Sequence, residues 1–314
     1  MKLSIVTTLY KSAAYVEEFY RRASAAGVAV TEDYEIVMVD DGSPDNSLDI
    51  AIGLHERDPR VCVLSLSRNF GHHKAMMTGL GHARGDLTFL IDVDLDVAPE
   101  CLGGFYADLS ECHADVIYGV QDAREDSLGS RLGGWMFYAI FNRLSSHRLP
   151  VNLTTARLMT RRYVEALCRH EEREMIIAGL WVITGYTQLP RVVRKLSGRK
   201  SSYDLRRKAA LLIDAIIAFS NRPLILIFYL GLFISLLAGS GAAYLVARRV
   251  FFGTMASGWL SLIVSTWLLG GVIIFCLGVI GFYLSKVFIE TKQRPYTIVK
   301  DVYDRRGEVA NRAL

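Results

Sequence analysis

Phe89-Leu90-Ile91-Asp92-Val93-Asp94-Leu95-Asp96 is where this chain turns abruptly from apolar to acidic. An apolar run of strand type stops and three carboxylates follow on alternate residues. In an extended chain alternate side chains share a face, so Asp92, Asp94 and Asp96 are expected to converge on one point. Three like charges so close repel unless a cation sits between them. Oxygen ligands suit a hard ion such as Mg²⁺ or Mn²⁺, which commonly shares its shell with substrate phosphates. The other reading is a solvated turn after a strand, since Asp favours turns and helix starts.

Upstream of this stretch, strand-like and helix-like segments alternate. Leu3–Thr8, Glu35–Val39, Val61–Leu66, Leu87–Ile91 and, just downstream, Val116–Tyr118 read as strands, with helical stretches near 12–26, 45–57, 72–84 and 99–112. Such alternation predicts an α/β fold, a mostly parallel sheet covered by helices on both faces. Ligands of these sheets bind at the carboxyl ends of the strands. There the polar residues collect: Thr8 and Tyr10, Asp40-Asp41-Gly42-Ser43, Arg68-Asn69, and Asp92 with Asp94. Asp40 and Asp41 can be turn formers leading to a helix cap at Ser43-Pro44-Asp45, or acceptors for a nucleobase or ribose.

The 314 residues allow one large domain or two ordinary ones. A net charge of +4, from 36 Lys and Arg against 32 Asp and Glu, is too mild to argue for a nucleic-acid partner. The five cysteines (62, 101, 112, 168, 276) form no CxxC pair, which reads as reduced thiols rather than a disulfide framework or zinc site. Leu3–Tyr10 is too short and too β-like for a signal peptide, so the first two hundred residues are expected to stay in the cytoplasm. Hydrophobic residues make up 51% and mean hydropathy is +0.25, high for a soluble protein.

That apolar excess is localised. Pro223–Ala247 and Val250–Ser285 contain no charged residue over 25 and 36 positions. About 20 apolar residues cross a bilayer. Transmembrane helices are therefore expected at about 224–246 and 259–284, forming a hairpin within 223–285. Nine basic residues from Arg191 to Arg222 precede it and six from Lys286 to Arg306 follow, against Arg248 and Arg249 in the turn. The positive-inside bias puts both termini in the cytoplasm, with residues 286–314 as a tail. The aromatic stretch at about 129–145, flanked by Arg131 and Arg143, reads either as a buried core helix or as a helix lying in the membrane interface. Residues 205–222 read as an amphipathic juxtamembrane helix, leaving 1–204 as the catalytic domain.

An α/β domain of nucleotide-binding type, an acidic cluster suited to metal and a basic, membrane-hugging flank suggest a reaction between a soluble nucleotide and a lipid. A metal would neutralise a diphosphate leaving group. Arginines such as Arg124, Arg131, Arg143 and Arg157 suit an anionic lipid head.

Leu64-Ser65-Leu66-Ser67-Arg68-Asn69-Phe70-Gly71-His72-His73-Lys74-Ala75 resembles the LSRNFGHxxA motif of family 2 glycosyltransferases acting on polyprenyl phosphates, among them bactoprenol glucosyltransferases and dolichyl-phosphate mannose synthases. Val39–Ser43 resembles their VDDGS, Asp92–Asp96 their DADLQ, and Arg157–Arg161 the end of GDFRLMxR. Gly198 with Ser201–Tyr203 resembles GxSKY. Asp214, Phe219-Ser220 and Pro223-Leu224 resemble the D…FSxxPL that leads into the first span, and Glu290–Pro295 the final ExKxRP. The likeness runs nearly end to end.

The resemblance implies a GT-A fold and inverting transfer of one sugar, from a nucleotide diphosphate sugar (UDP-linked) to polyprenyl (undecaprenyl) phosphate. It implies a donor site of Thr8, Tyr10, Asp40, Asp41, Arg68, Lys74 and Asp92, and Mg²⁺ or Mn²⁺ on Asp94 and Asp96. It further implies catalytic roles for Asp94, Asp96 and Arg157, an acceptor-phosphate site of Arg124, Arg131 and Arg157, an inner-membrane location and a homo-oligomer. A phosphate monoester with second pKa about 6 is largely dianionic at neutral pH and attacks without a strong general base.

Several positions depart from the pattern. Thr155 stands where GDFRLM carries its acid, and Asp96 replaces glutamine after the metal acids. Ala178–Tyr186 loses the arginine of RGL…WxGF and moves its tryptophan; Gly281-Phe282-Tyr283 lacks the acid of GEY. These mark a divergent subgroup with its own donor sugar. Two rival readings are a processive polysaccharide synthase and a non-enzymatic membrane adaptor or flippase accessory. The first lacks support because Gln188–Val192 has no tryptophan of QxxRW and two spans are few for a polymer channel. The second predicts no metal-dependent nucleotide binding.

Overall fold

The computed structural model describes residues 2–121, 152–173, 175, 177–194, 222–252 and 258–304. The chain forms two compact units: Met1–Tyr138, His147–Tyr203 and Gln293–Leu314 in one, Ala139–Ser146 and Asp204–Lys292 in the other. The expected helices at 129–145 and 205–222, apart from Arg222, lie outside the described residues, as do Arg124 and Arg131.

In the first unit, β1 (Leu3–Leu9), β2 (Tyr34–Asp40), β3 (Val61–Leu66) and β4 (Leu87–Leu90) alternate with α1 (Val16–Val30), α2 (Ser47–Arg57) and α3 (His72–His82); α4 (Cys101–Cys112) follows β4. β1, β2 and β4 are buried along their whole lengths, which explains why they read as continuous apolar runs rather than alternating ones. Helix α1 starts later than the expected residue 12. The N–H groups of Ser12 and Ala13 are instead taken by Ser47 Oγ and Asp45 Oδ2, which hold that stretch in a turn.

The described residues form one eight-stranded sheet in the order β7-β5-β6-β4-β1-β2-β3-β8. Its centre is parallel, β4-β1-β2-β3. β6 (Leu153–Thr160) runs antiparallel to both β4 and β5 (Val116–Gln121), and β7 (Gln188–Val193) lies parallel to β5. Short helices α5 (Arg161–Cys168) and α6 (Ile177–Ile183) complete this side.

Residues 286–314 carry more than the expected tail. Val299–Tyr303 forms β8, antiparallel to β3 at the sheet edge. Ser67 N–H donates to Ile298 O at 2.9 Å, and the hydroxyls of Thr78 and Thr297 meet at 2.8 Å.

Strand periodicity divides the core in two. Ile5, Ile36, Val63, Phe89 and Leu158 face one side, against Phe19 of α1, Leu54 of α2 and Phe105 of α4. Val6, Val37, Leu64, Leu90 and Met159 face the other, against Met76 of α3, Val164 of α5 and Trp181 of α6. Phe89 and Phe105 meet edge to face with centroids 5.9 Å apart. Each such buried side chain contributes about 1.5–3 kcal/mol. Helix α3 lies so close to the sheet that a Cβ on Gly79 would stand 2.6 Å from Val6 Cγ1.

The second unit holds α7 (Arg222–Phe252) and α8 (Trp259–Thr291). Leu224–Gly241 and Ser265–Thr291 have mean hydropathies of 2.2 and 2.3 and none of either stretch is buried. Both helices are long and apolar enough to cross a membrane, and exposed side chains such as Phe228, Leu236, Trp267 and Ile274 would otherwise face water.

Candidate active site

The strand order sets where a ligand fits. From β1 the chain steps outward to β2 and β3, and α3 then carries it back to β4 on the other side of β1. The carboxyl ends of β1 and β4 therefore border the topological switch point. Thr8 closes on one side of this crevice and Asp92 on the other.

The acidic stretch is not the extended run its spacing predicts. β4 ends at Leu90, and Leu95 adopts φ 60°, which turns the chain and breaks the two-residue alternation. Asp92 and Asp96 still line one cavity of about 130 Å³, with Gln121, Thr154, Thr155 and Ala156 opposite. Asp94 does not line it and instead accepts the Asp96 N–H at 3.0 Å, a bond that fixes its rotamer. The expected three-acid convergence is thus corrected: among the described residues no group of three His, Cys, Asp or Glu side chains is gathered around one point. The oxygen donors nonetheless fit a hard divalent cation, which is typically held by one or two carboxylates together with substrate phosphates. Asp92 Oδ1 is buried without a hydrogen bond, an acceptor with capacity to spare.

Asp40 and Asp41, adjacent in sequence, do different things. Asp40 is buried at the end of β2 and accepts the Ser43 N–H on both oxygens at 3.3 Å. Burial outweighs that bond and pushes its carboxyl up to about 6. Asp41 accepts the N–H groups of Phe70 and Gly71 at 2.7 and 3.0 Å, and burial again raises its pKa. It therefore caps the approach to α3, whose own N-cap, Gly71 at φ 102°, has no side chain to offer. The loops after β2 and β3 meet backbone to backbone: a Cβ on Gly42, itself at φ 60°, would lie 2.6 Å from Arg68 C and Asn69 N.

Arg68 is exposed on this loop and stacks over Phe70 at 4.1 Å. Lys74 sits half-buried in the first turn of α3 and Tyr10 is exposed beyond β1, with the Lys11 ammonium 5.6 Å from its ring. Thr8 is buried and its hydroxyl lies 2.9 Å from His72 Nδ1. The other nitrogen, Nε2, stands 3.2 Å from Asp92 Oδ1, close but not aligned as a hydrogen bond. Sequence reasoning assigned His72 no role; its one signal was a histidine opening a helix directly after a polar strand end.

Arg157 occupies different ground. On β6, Ala156 and Leu158 turn to the α1–α4 side, whereas Arg157 joins Met159 on the side of α3, α5 and α6. Its guanidinium is 1% exposed and lies 3.0 Å from the centre of the Trp181 ring. It lines a second cavity, of about 210 Å³, with Tyr118, Trp181, Tyr186 and Gln188. Nε and Nη1 of Arg157 and Nε1 of Trp181 are buried donors without partners, and burial lowers the arginine pKa to about 9. Leu153, at the start of β6, borders both this cavity and the one lined by Asp92 and Asp96. Arg191, counted above with the membrane flank, is engaged on β7 by Asp108 and by Gly104 O.

A twisted, mostly parallel sheet with acids at its switch point is the architecture of GT-A glycosyltransferases. The sequence profile of glycosyl transferase family 2 matches residues 4–168, and the chain belongs to that family. A glycosyltransferase relative from Mycobacterium tuberculosis (strain CDC 1551 / Oshkosh) is 52% identical over 96% of this chain and 89% of its own length. The prophage bactoprenol glucosyl transferase homolog of Escherichia coli (strain K12) is 32% identical, covering 96% and 99%. The bactoprenol glucosyl transferase of Shigella phage SfV is likewise 32% identical, over 96% and 99%. The match to the bactoprenol glucosyl transferases thus spans both units.

Proposed function

We propose that this glycosyltransferase moves one sugar, with inversion, from a UDP-linked donor to undecaprenyl phosphate at the inner face of the cell membrane. The observation that carries this reading is the pair of cavities that share Leu153 at the start of β6. The first is lined by Asp92 and Asp96, and the second holds the Arg157 guanidinium, whose Nε and Nη1 are buried without partners. Acids at the switch point suit a cation-bridged diphosphate, and buried unpaired donors suit an attacking phosphate. Mg²⁺ or Mn²⁺, held by Asp94 and Asp96 with Asp92 beside them, would supply charge neutralisation of the departing nucleoside diphosphate.

The chain's own residues have the remaining tasks. Asp40 is an acceptor for the nucleoside, Arg68 and Lys74 offer cations to the diphosphate, and Arg157, with Arg124 and Arg131, holds the acceptor phosphate. Because that phosphate arrives largely dianionic, alignment and charge stabilisation suffice. Thr155 in place of an acid accords with a reaction that needs no strong base. Helices α7 and α8 would keep the catalytic unit at the bilayer where the lipid lies, with both termini cytoplasmic.

The test is to incubate the purified full chain with undecaprenyl phosphate, Mg²⁺ or Mn²⁺ and a panel of nucleotide sugars, and to read product mass. A lipid gaining one hexose-type mass is expected. A growing polymer would favour a processive synthase, and no product with any donor would refute the reading.

A further inference from the structure

We propose that His72 is a positioning residue that ties the two sides of the switch point together and sets the orientation of Asp92. The inference rests on the glycosyl-transfer reading above. His72 is the first residue of α3, the helix whose return across the sheet creates the switch point. Its ring reaches the carboxyl ends of both bordering strands: Nδ1 is 2.9 Å from Thr8 Oγ1 near the end of β1, and Nε2 is 3.2 Å from Asp92 Oδ1 after β4.

Three features hold the ring there. Asp41 binds the N–H groups of the two preceding residues and fixes where α3 begins. Gly79 lets the helix sit close on Val6 and Val39 of β1 and β2. Thr8 is buried in the sheet, so its hydroxyl is a fixed point rather than a swinging one.

Asp92, by contrast, is on a turn and partly exposed, and nothing hydrogen-bonds its Oδ1. A carboxylate on a turn beside Asp96 is repelled by its neighbour and would swing outward. The imidazole 3.2 Å away opposes that swing, while Thr8 keeps the imidazole from following. Small displacements of groups aligned with a reacting centre cost up to about 100-fold in rate. His72 touches neither sugar nor phosphate in this role; it acts through Asp92.

The experiment measures kcat and KM for UDP-glucose and GDP-mannose, with undecaprenyl phosphate saturating, for wild type and four variants of the full chain. His72→Ala is expected to lower kcat about 10–100-fold with donor KM changed less than about threefold. His72→Gln places an amide nitrogen near the Nε2 position and should recover most of the rate. His72→Asn reproduces only the Thr8 side and should stay impaired. In the double variant with Asp92→Asn, loss of His72 should add little, because the two act as one unit.

Equal recovery by Gln and Asn, or a His72→Ala rate within threefold of wild type, overturns the inference. So does a loss expressed wholly in donor KM. If wild type transfers no sugar, the glycosyl-transfer reading fails by itself, and crystal structures of the full-chain variants decide the His72 role: an Asp92 carboxylate unmoved in His72→Ala overturns it, while one displaced in His72→Ala and returned in His72→Gln but not in His72→Asn upholds it.

Discussion

Asp41 binds the backbone N–H groups of Phe70 and Gly71 at 2.7 and 3.0 Å, so a carboxylate at the end of β2 caps the approach to a helix that follows β3. It uses both oxygens on protein. Asp40, one residue earlier, keeps the acceptor capacity a nucleoside needs. Asp41→Ala would leave two N–H groups without their acceptor and is expected to destabilise the fold by about 1–3 kcal/mol. Thermal unfolding of the purified protein checks this; an unchanged midpoint would remove the clamp from the account.

Asp40 gives a prediction about pH. Burial raises its carboxyl from 3.8 to about 6, so the folded state binds more protons than the unfolded state between those values. Stability from this group is therefore lost as pH rises from about 4 to 6 and stays lost above. Asp40→Asn should stabilise the ligand-free protein by about 1–2 kcal/mol at pH 7 and by little at pH 4. The same variant should bind nucleotide sugar more weakly, the opposition expected of a strained binding residue.

The acids that follow β4 separate by variant. Asp94→Asn should lower transfer at least about 100-fold while leaving the melting temperature within a few degrees of wild type. Asp96→Gln should also lose activity. Asp96 and Thr155 line the same cavity, so in Asp96→Gln with Thr155→Asp the carboxylate moves across the cavity without changing its charge. Partial recovery in that double variant is expected. Failure to recover would mean that the position of the charge matters more than its presence.

Arg157 is a buried cation with no carboxylate partner among the described residues. Replacing such a charge by an apolar side chain of similar length often stabilises a protein by about 1–4 kcal/mol. Arg157→Met should therefore melt at or above the wild-type temperature yet require more undecaprenyl phosphate for half-maximal rate. Lower stability together with unchanged acceptor dependence would make Arg157 a structural residue.

β8 is tested by Val302→Pro, opposite Leu64 in the β3–β8 ladder. Proline removes a ladder donor and should cost about 1–3 kcal/mol, with lost activity through the neighbouring Arg68–Gly71 loop. Limited proteolysis after Thr291 would report the freed strand.

How far the sequence reaches depends on the range of the interactions involved. β1–β4 and α1–α4 were legible, and Val61–Leu66 matches to the residue, because a strand buried on both faces must be continuously apolar. The two long helices were legible for a similar reason: an unbroken apolar run has few other solutions. β8 was not. Its sequence Val299-Lys300-Asp301-Val302-Tyr303 has two charged residues in five and is largely exposed, and it is a strand only because β3 offers an open edge.

The acids were recognised as a site from their spacing, but their arrangement was not. A single left-handed residue, Leu95, breaks the alternation, so that Asp92 and Asp96 line one cavity while Asp94 accepts the Asp96 N–H. Arg157 was found by type, but which face of the sheet it takes was not legible, since one step along β6 exchanges one face for the other. By itself, then, the sequence determined the family, the layered sheet and the apolar helices, because composition and period act locally. Which polar groups meet was decided only by the fold: Thr8 and His72 are sixty-four residues apart, and only the crossover of α3 brings them to 2.9 Å.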